Sequence, residues 1–307
     1  MSTVTQDTPL GADAAPSTAI ARTRPFYWSV RRELMEYRSI YLAPLAIAGV
    51  ILLGFLFFLA GLPHTMRHSM MLDPGHQRDA LAHPYNLAAS LIMMAAFIVS
   101  IFYSLDALYG ERRERSILFW KSLPVSDLTT VLSKASILLL VLPIVAFAIT
   151  LGVELIMLIV SSAVLAASGQ SVAAFWNQLQ LFHVMFQLLY HLVTIHMLWY
   201  APMYAWLLLI SAWARRAPFL WAVLPPFAIY IFEKTAFHTS YFVAFLQDRF
   251  SGGNEALDKI HGNFPMDPGM VMTPLSFLLT PGLWLGLLFA AASLYAAARL
   301  RRYRGPI

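Results

Sequence analysis

The 307-residue chain contains no cysteine, which excludes a disulfide framework, a thiolate nucleophile and any Cys-based metal site. Charge is scarce as well: Asp, Glu, Lys and Arg together make up 12% of the residues, about half the share of an ordinary soluble domain. No G-x-x-x-x-G-K-[ST] stretch occurs and no Gly is followed by Lys, so the chain does not cradle a nucleotide in a phosphate loop. H-E-x-x-H and G-x-S-x-G are missing too, which removes the usual signatures of a membrane-embedded hydrolase. Residues 1–22 lack both a basic n-region and an apolar h-region. They read as a disordered tail and not as a signal peptide.

What the chain has in excess is apolar surface. Hydrophobic residues make up 59% of it and the mean hydropathy is +0.65, the composition of an integral membrane protein. A hydrocarbon core of about 30 Å takes roughly 20 apolar residues per helix. On that measure an all-α polytopic fold with about six spans is expected, at 41–62, 85–108, 135–160, 187–213, 218–237 and 274–298. The segment 172–213 is too long for one span, and its part "FWNQLQLFHVMFQ" reads as an interfacial helix leading into the fourth. An even span number puts both termini on one side. Sixteen of the 21 Lys and Arg then share that side with the 109–134 loop, the Arg215 turn and the basic C-terminus 299–307. By the positive-inside rule that side is the cytoplasm, which makes this a multi-pass protein of a cytoplasmic (inner) membrane.

Two further segments frame the spans. In residues 23–40, Phe26, Val30, Leu34 and Tyr37 recur at helical spacing while Arg31, Arg32 and Glu36 project elsewhere. That pattern gives an amphipathic elbow helix along the cytoplasmic surface, or an ordinary juxtamembrane anchor. In the outer loop 238–273, "SYFVAFLQDRF" is apolar but too short to cross, so an interfacial or re-entrant piece is expected there.

The 109–134 loop, "YGERRERSILFWKSLPVSDLTTVLSK", concentrates charge between two oily spans. Glu111, Arg112, Arg113, Glu114 and Arg115 alternate in sign at helical neighbour distances, and an apolar patch from Ile117 to Trp120 follows. Pro124 ends that helix, and Ser126 followed by Asp127 supplies an N-cap and a first-turn acid for the next. Helix, corner, helix is the expected result.

This loop resembles that of the permease subunits of ATP-binding cassette (ABC) transporters, specifically the type 2 exporters. Their pattern after the second span is similar at Glu111, Arg112, Ser116, Ser122, Leu123, Pro124, Val125, Ser126 and Lys134. It differs at Arg113, where the pattern has an acid, at Arg115, where it has Gly, and at Leu118, where it has Glu. The resemblance implies a coupling helix seated in a groove of a separate ATPase subunit, present in two copies and carrying the ATP and Mg. It also implies a second permease copy, a homodimer being expected, and no nucleic-acid partner. The charged residues and Ser116, Lys121, Pro124, Val125 and Ser126 would then rim the dock, with Phe119 and Trp120 as buried anchors.

Polar residues inside the spans are candidates for lining a substrate path. Glu154 lies within the third span, where a carboxylate is costly and functional by default, or packs as protonated polar glue. Gln187, His191 and Thr194 form a polar stripe with His183, Tyr190 and His196 in or near the fourth span, without the three- or four-residue spacing a helical metal site prefers. The aromatic, weakly charged spans favour an amphipathic or hydrophobic cargo such as a peptide, drug or lipid. Two rival readings remain. His64 and His68, four apart beside Met66, Met70, Met71, Asp73 and His76, suit a copper-linked permease. A non-transporting membrane sensor or scaffold is the other.

Overall fold

A computed structural model describes residues 24–69, 74–122, 125–179, 181–250 and 278–307. The predicted tail at 1–22, the corner residues Leu123 and Pro124, and most of the predicted outer loop fall outside these residues. The described chain is helical, with no strand. Its elements are α1 (Pro25–Glu36), α2 (Ser39–Ser69), α3 (Pro74–Asp106), α4 (Tyr109–Arg113), α5 (Ile117–Ser122), α6 (Asp127–Ser136), α7 (Leu142–Ala167), α8 (Val172–Leu179), α9 (Leu181–His191), α10 (Ala201–Trp213), α11 (Pro218–Ala236), α12 (Tyr241–Phe250) and α13 (Pro281–Tyr303).

Two wide π-helical stretches, Ile137–Val141 and Leu192–Trp199, join α6 to α7 and α9 to α10. Each lies just before a proline, Pro143 or Pro202. A proline has no N–H to offer the carbonyl four residues back, and the i to i+5 pattern accommodates that loss. The bonds Leu142 N–H to Ile137 O and Tyr200 N–H to Ile195 O show the wider register directly.

Among the described residues, four helical stretches are long and apolar enough to cross a membrane: Ser39–His68, Ala80–Arg113, Asp127–Ala167 and Pro281–Tyr303. A fifth is reached if Val184–Trp199 and Ala201–Trp213, bent by 44° at Tyr200, count as one span. These answer to the first, second, third, sixth and fourth predicted spans. The predicted fifth, α11, is a 19-residue helix but does not join them, because Pro225, Pro226, Glu233 and Lys234 dilute its apolar content. The last span also begins later than expected, at Pro281.

Packing follows the apolar faces. α2, α3 and α7 enclose one core around Phe55, Tyr85, Ile92, Met157 and Phe175. A second core, around Tyr103, Leu138, Trp199, Tyr204 and Leu283, joins α3, α10, α13 and the first π stretch. The outward side chains, among them Val50, Leu53, Phe57, Phe102, Ile159, Leu285 and Leu288, are large, apolar and exposed, as a lipid-facing surface requires. α8 is more than an interfacial lead-in: its Phe175 is fully buried, and Trp176 donates to Ser162 on α7 at 2.9 Å.

Candidate functional site

The 109–134 loop folds as two short helices and the start of a third, and each boundary has a local cause. Between α4 and α5, Arg115 takes φ 59°, a left-handed conformation that disfavours any side chain with a Cβ. This is the position where the type 2 exporter pattern carries glycine. After the corner, Ser126 caps α6 in extended conformation, its Oγ accepting from Thr129 N–H at 3.0 Å, and Asp127 stands in the first turn.

The loop is tied to the bundle by buried charge. Lys134, at the base of the third span, is 1% exposed and donates to Glu33 of α1 at 2.7 Å. It also forms an ion pair with Glu111 of α4 at 3.1 Å. Arg301 of α13 donates to the other oxygen of Glu111 at 3.2 Å and to Asp127 at the start of α6. Arg32 approaches Glu111 at 3.6 Å, and Tyr103 of α3 donates to Glu33 at 2.8 Å. Four carboxylates, Glu33, Glu36, Glu111 and Asp127, therefore meet three cations, Arg32, Lys134 and Arg301, with Arg32 shared between Glu111 and the exposed Glu36 at 3.0 Å. Its buried centre, Glu33 and Glu111 against Lys134 and Arg301, balances in charge, which lets it persist away from water, where an unpaired ion would be strongly disfavoured.

Backbone contacts extend the clamp. Arg112, 2% exposed, reaches across to the carbonyls of Ala212 and Ala214 at the end of α10, the latter at 2.8 Å. Ser211 accepts from the N–H groups of Leu108 and Tyr109 at 3.0 and 2.9 Å. The C-terminus folds over the same place: Lys121 donates to the carbonyl of Arg304 at 3.0 Å, Arg304 to that of Trp213, and Ile307 N–H to that of Arg112 at 3.2 Å. The cluster thus joins α1, the loop, the third span, α10 and the last span into one rigid end of the bundle.

The predicted docking residues separate into two groups. Glu111 and Arg112, expected at a charged rim, are instead buried inside the chain and bound by it, because the last span and α10 bring partners to them that lie about 100 to 190 positions away. Arg113, Glu114, Arg115, Lys121 and Ser126 are exposed, and Ser116 and Val125 half-buried. Trp120 is half-buried with the Arg32 guanidinium 3.3 Å above its ring, so it clamps α5 to α1. Phe119 and Leu118, by contrast, are 61% and 58% exposed. Pro124 lies outside the described residues. Glu33 and Arg301 belong to the cluster without being marked by the pattern of the loop itself. Glu33 does carry a signal, since it sits on the same helical face as Val30, Leu34 and Tyr37, where an acid is out of place.

Among the described residues, no hydrogen bond or ring contact joins Glu154 to His191, Thr194 or His196. Glu154 is 1% exposed on α7, and neither carboxylate oxygen finds a hydrogen-bond partner among the described residues. Ser161, two turns along the same helix, meets the Tyr85 hydroxyl at 3.0 Å. His191, Thr194 and His196 are buried around the second π stretch, with the two imidazole rings 5.7 Å apart and the Thr194 hydroxyl spent on Tyr190 O at 2.8 Å. The Gln187 side chain lies outside the described set. His64 and His68 are exposed on the last turns of α2, and among the described residues no group of three His, Cys, Asp or Glu is placed to hold a metal ion. Comparison with protein-family models, curated proteins and solved structures gave no match to the chain, so its own geometry carries the functional argument.

Proposed function

We propose that this chain is the permease subunit of an ABC type 2 exporter, with α5 as the helix that docks into a separate ATPase. One observation carries the reading: α5 presents the exposed apolar pair Leu118 and Phe119 to the outside while its flanks are locked by buried ions to α1, the third span and the last span. A solvated linker has no need of either feature. A docking helix needs both, because an apolar anchor gives affinity and a rigid mount turns the partner's movement into movement of the spans. In this reading α11 and the bent α9–α10 unit complete six spans, both termini are cytoplasmic, and two permease copies act with two ATPase subunits that hold ATP and Mg. The cargo is amphipathic or hydrophobic and moves outward across the inner membrane.

The test is co-purification with an ABC ATPase subunit from the same genome, followed by transport in vesicles. Replacing Leu118 and Phe119 with Ser is expected to weaken the complex about tenfold or more, since each exchanges a buried anchor for a hydroxyl. ATP-dependent transport should fall with it. An undiminished complex in that variant refutes α5 as the dock. A complex that forms but moves nothing on ATP hydrolysis favours the sensor or scaffold.

A further inference from the structure

A second site lies at the other end of the bundle. α10, α11, α12 and α13 enclose a cavity of about 620 Å³, within the range of small-molecule sites. Its walls are almost wholly apolar and include Trp206, Pro226, Phe245 and Phe289. Among the described residues, the one cation in the lining is Arg249 of α12.

Arg249 is held there by specific contacts. Its guanidinium lies 4.2 Å from the Trp199 ring and 5.7 Å from that of Phe245, and Nη2 donates to the carbonyl of Gly282. Trp199 returns a bond from Nε1 to the carbonyl of Arg249 at 3.0 Å, and the Tyr200 hydroxyl donates to that of Phe250 at 3.1 Å, which pins the end of α12 against α10. Gly286 makes the space: a Cβ at that position would stand 2.6 Å from Nη2 of Arg249 and 2.9 Å from Pro202. Nη1, however, is buried, and among the described residues it has no acceptor and no carboxylate forms an ion pair with Arg249. A guanidinium with a spare donor in an aromatic chamber is half of a recognition unit. The missing half is an anion whose remaining bulk is hydrocarbon.

We infer that this chamber binds a long-chain amphiphile with an anionic head, carboxylate or phosphate, the head paired with Arg249 and the chain lying among Trp206, Phe245 and Phe289. An uncharged amphiphile of the same length, such as an alcohol, would offer Nη1 only a neutral acceptor and bind more weakly. The site does not depend on the permease reading, since a lipid could lodge there in a protein that transports nothing.

The test uses the purified full-length protein in nanodiscs of zwitterionic phosphatidylcholine. Three brominated probes are titrated while tryptophan fluorescence is followed: dibromostearate, a phosphatidic acid with brominated chains, and dibromostearyl alcohol. Trp199 and Trp206 line the cavity and are quenched by bromine in contact. The expected result is saturable quenching by one or both anions, with the alcohol about tenfold weaker, the value of one charge-assisted bond. Dibromostearate alone would identify a free fatty acid, and phosphatidic acid, alone or with it, a membrane lipid. Arg249→Gln should remove the preference for the anions and Arg249→Lys should keep part of it. Equal affinity of the wild-type protein for alcohol and anions overturns the inference without recourse to any variant, as does an unchanged preference in Arg249→Gln.

Discussion

Replacing Lys134 with Met is the sharpest perturbation of the ion cluster. The substitution keeps most of the side chain's length and apolar stem and deletes only the ammonium, which sits 2.7 Å from Glu33 and 3.1 Å from Glu111. Those carboxylates are themselves 2% and 3% exposed. Glu111 keeps Arg301 at 3.2 Å, whereas among the described residues Glu33 keeps only the hydroxyl of Tyr103. Breaking a buried pair by removing one partner costs about 3–5 kcal/mol, and the loss should fall chiefly on the seat of α1. In detergent, the variant should unfold at lower denaturant concentration, and trypsin should cut sooner at Arg31 and Arg38. Adding Glu33→Gln to Lys134→Met should recover a large part of the loss, because the orphaned negative charge goes with it. The double-mutant cycle measures that coupling. A loss below about 1 kcal/mol, or a double variant as unstable as the sum of the singles, would refute the view that buried charge fastens the elbow helix to the third span.

Arg115→Gly should stabilise the protein by up to about 1 kcal/mol, since relief of a left-handed residue outweighs the extra freedom of glycine in the unfolded chain; a lower denaturation midpoint would contradict the backbone assignment. Ser126→Ala should cost about 1 kcal/mol through the lost N-cap, seen as earlier fraying of α6 in hydrogen exchange at Thr129. Single cysteines at Ser122 and Ser240, both exposed in a chain with no cysteine of its own, should be labelled from opposite sides of the membrane, and labelling from the same side would overturn the six-span arrangement.

Much of the architecture is legible in the sequence because helices in a membrane are specified locally. Every backbone group in hydrocarbon must be satisfied within the segment, so a run of apolar residues about 20 long becomes a helix whatever its neighbours are. The N-cap at Ser126 and the prolines that follow the wide turns are local in the same sense. α11 shows the limit of that reasoning, since a stretch with a double proline and a Glu-Lys pair forms a helix without matching the apolar content of the other spans.

Pairing between distant residues is what the tertiary structure alone decided. Glu111 and Arg113 are two positions apart in one charged run, yet the first is buried against Lys134 and Arg301 and the second is exposed. Nothing local distinguishes them: the difference comes from α13, whose Arg301 is 190 positions from Glu111. Arg249 makes the same point, since its role comes from the glycines of α13 and the Trp199 ring of another helix. Composition and periodicity state which residues can enter a membrane and in what conformation. Which charge meets which depends on how the helices pack, because a Coulomb contact of about 3 Å is set by the positions of whole helices and not by the residues beside it in the chain.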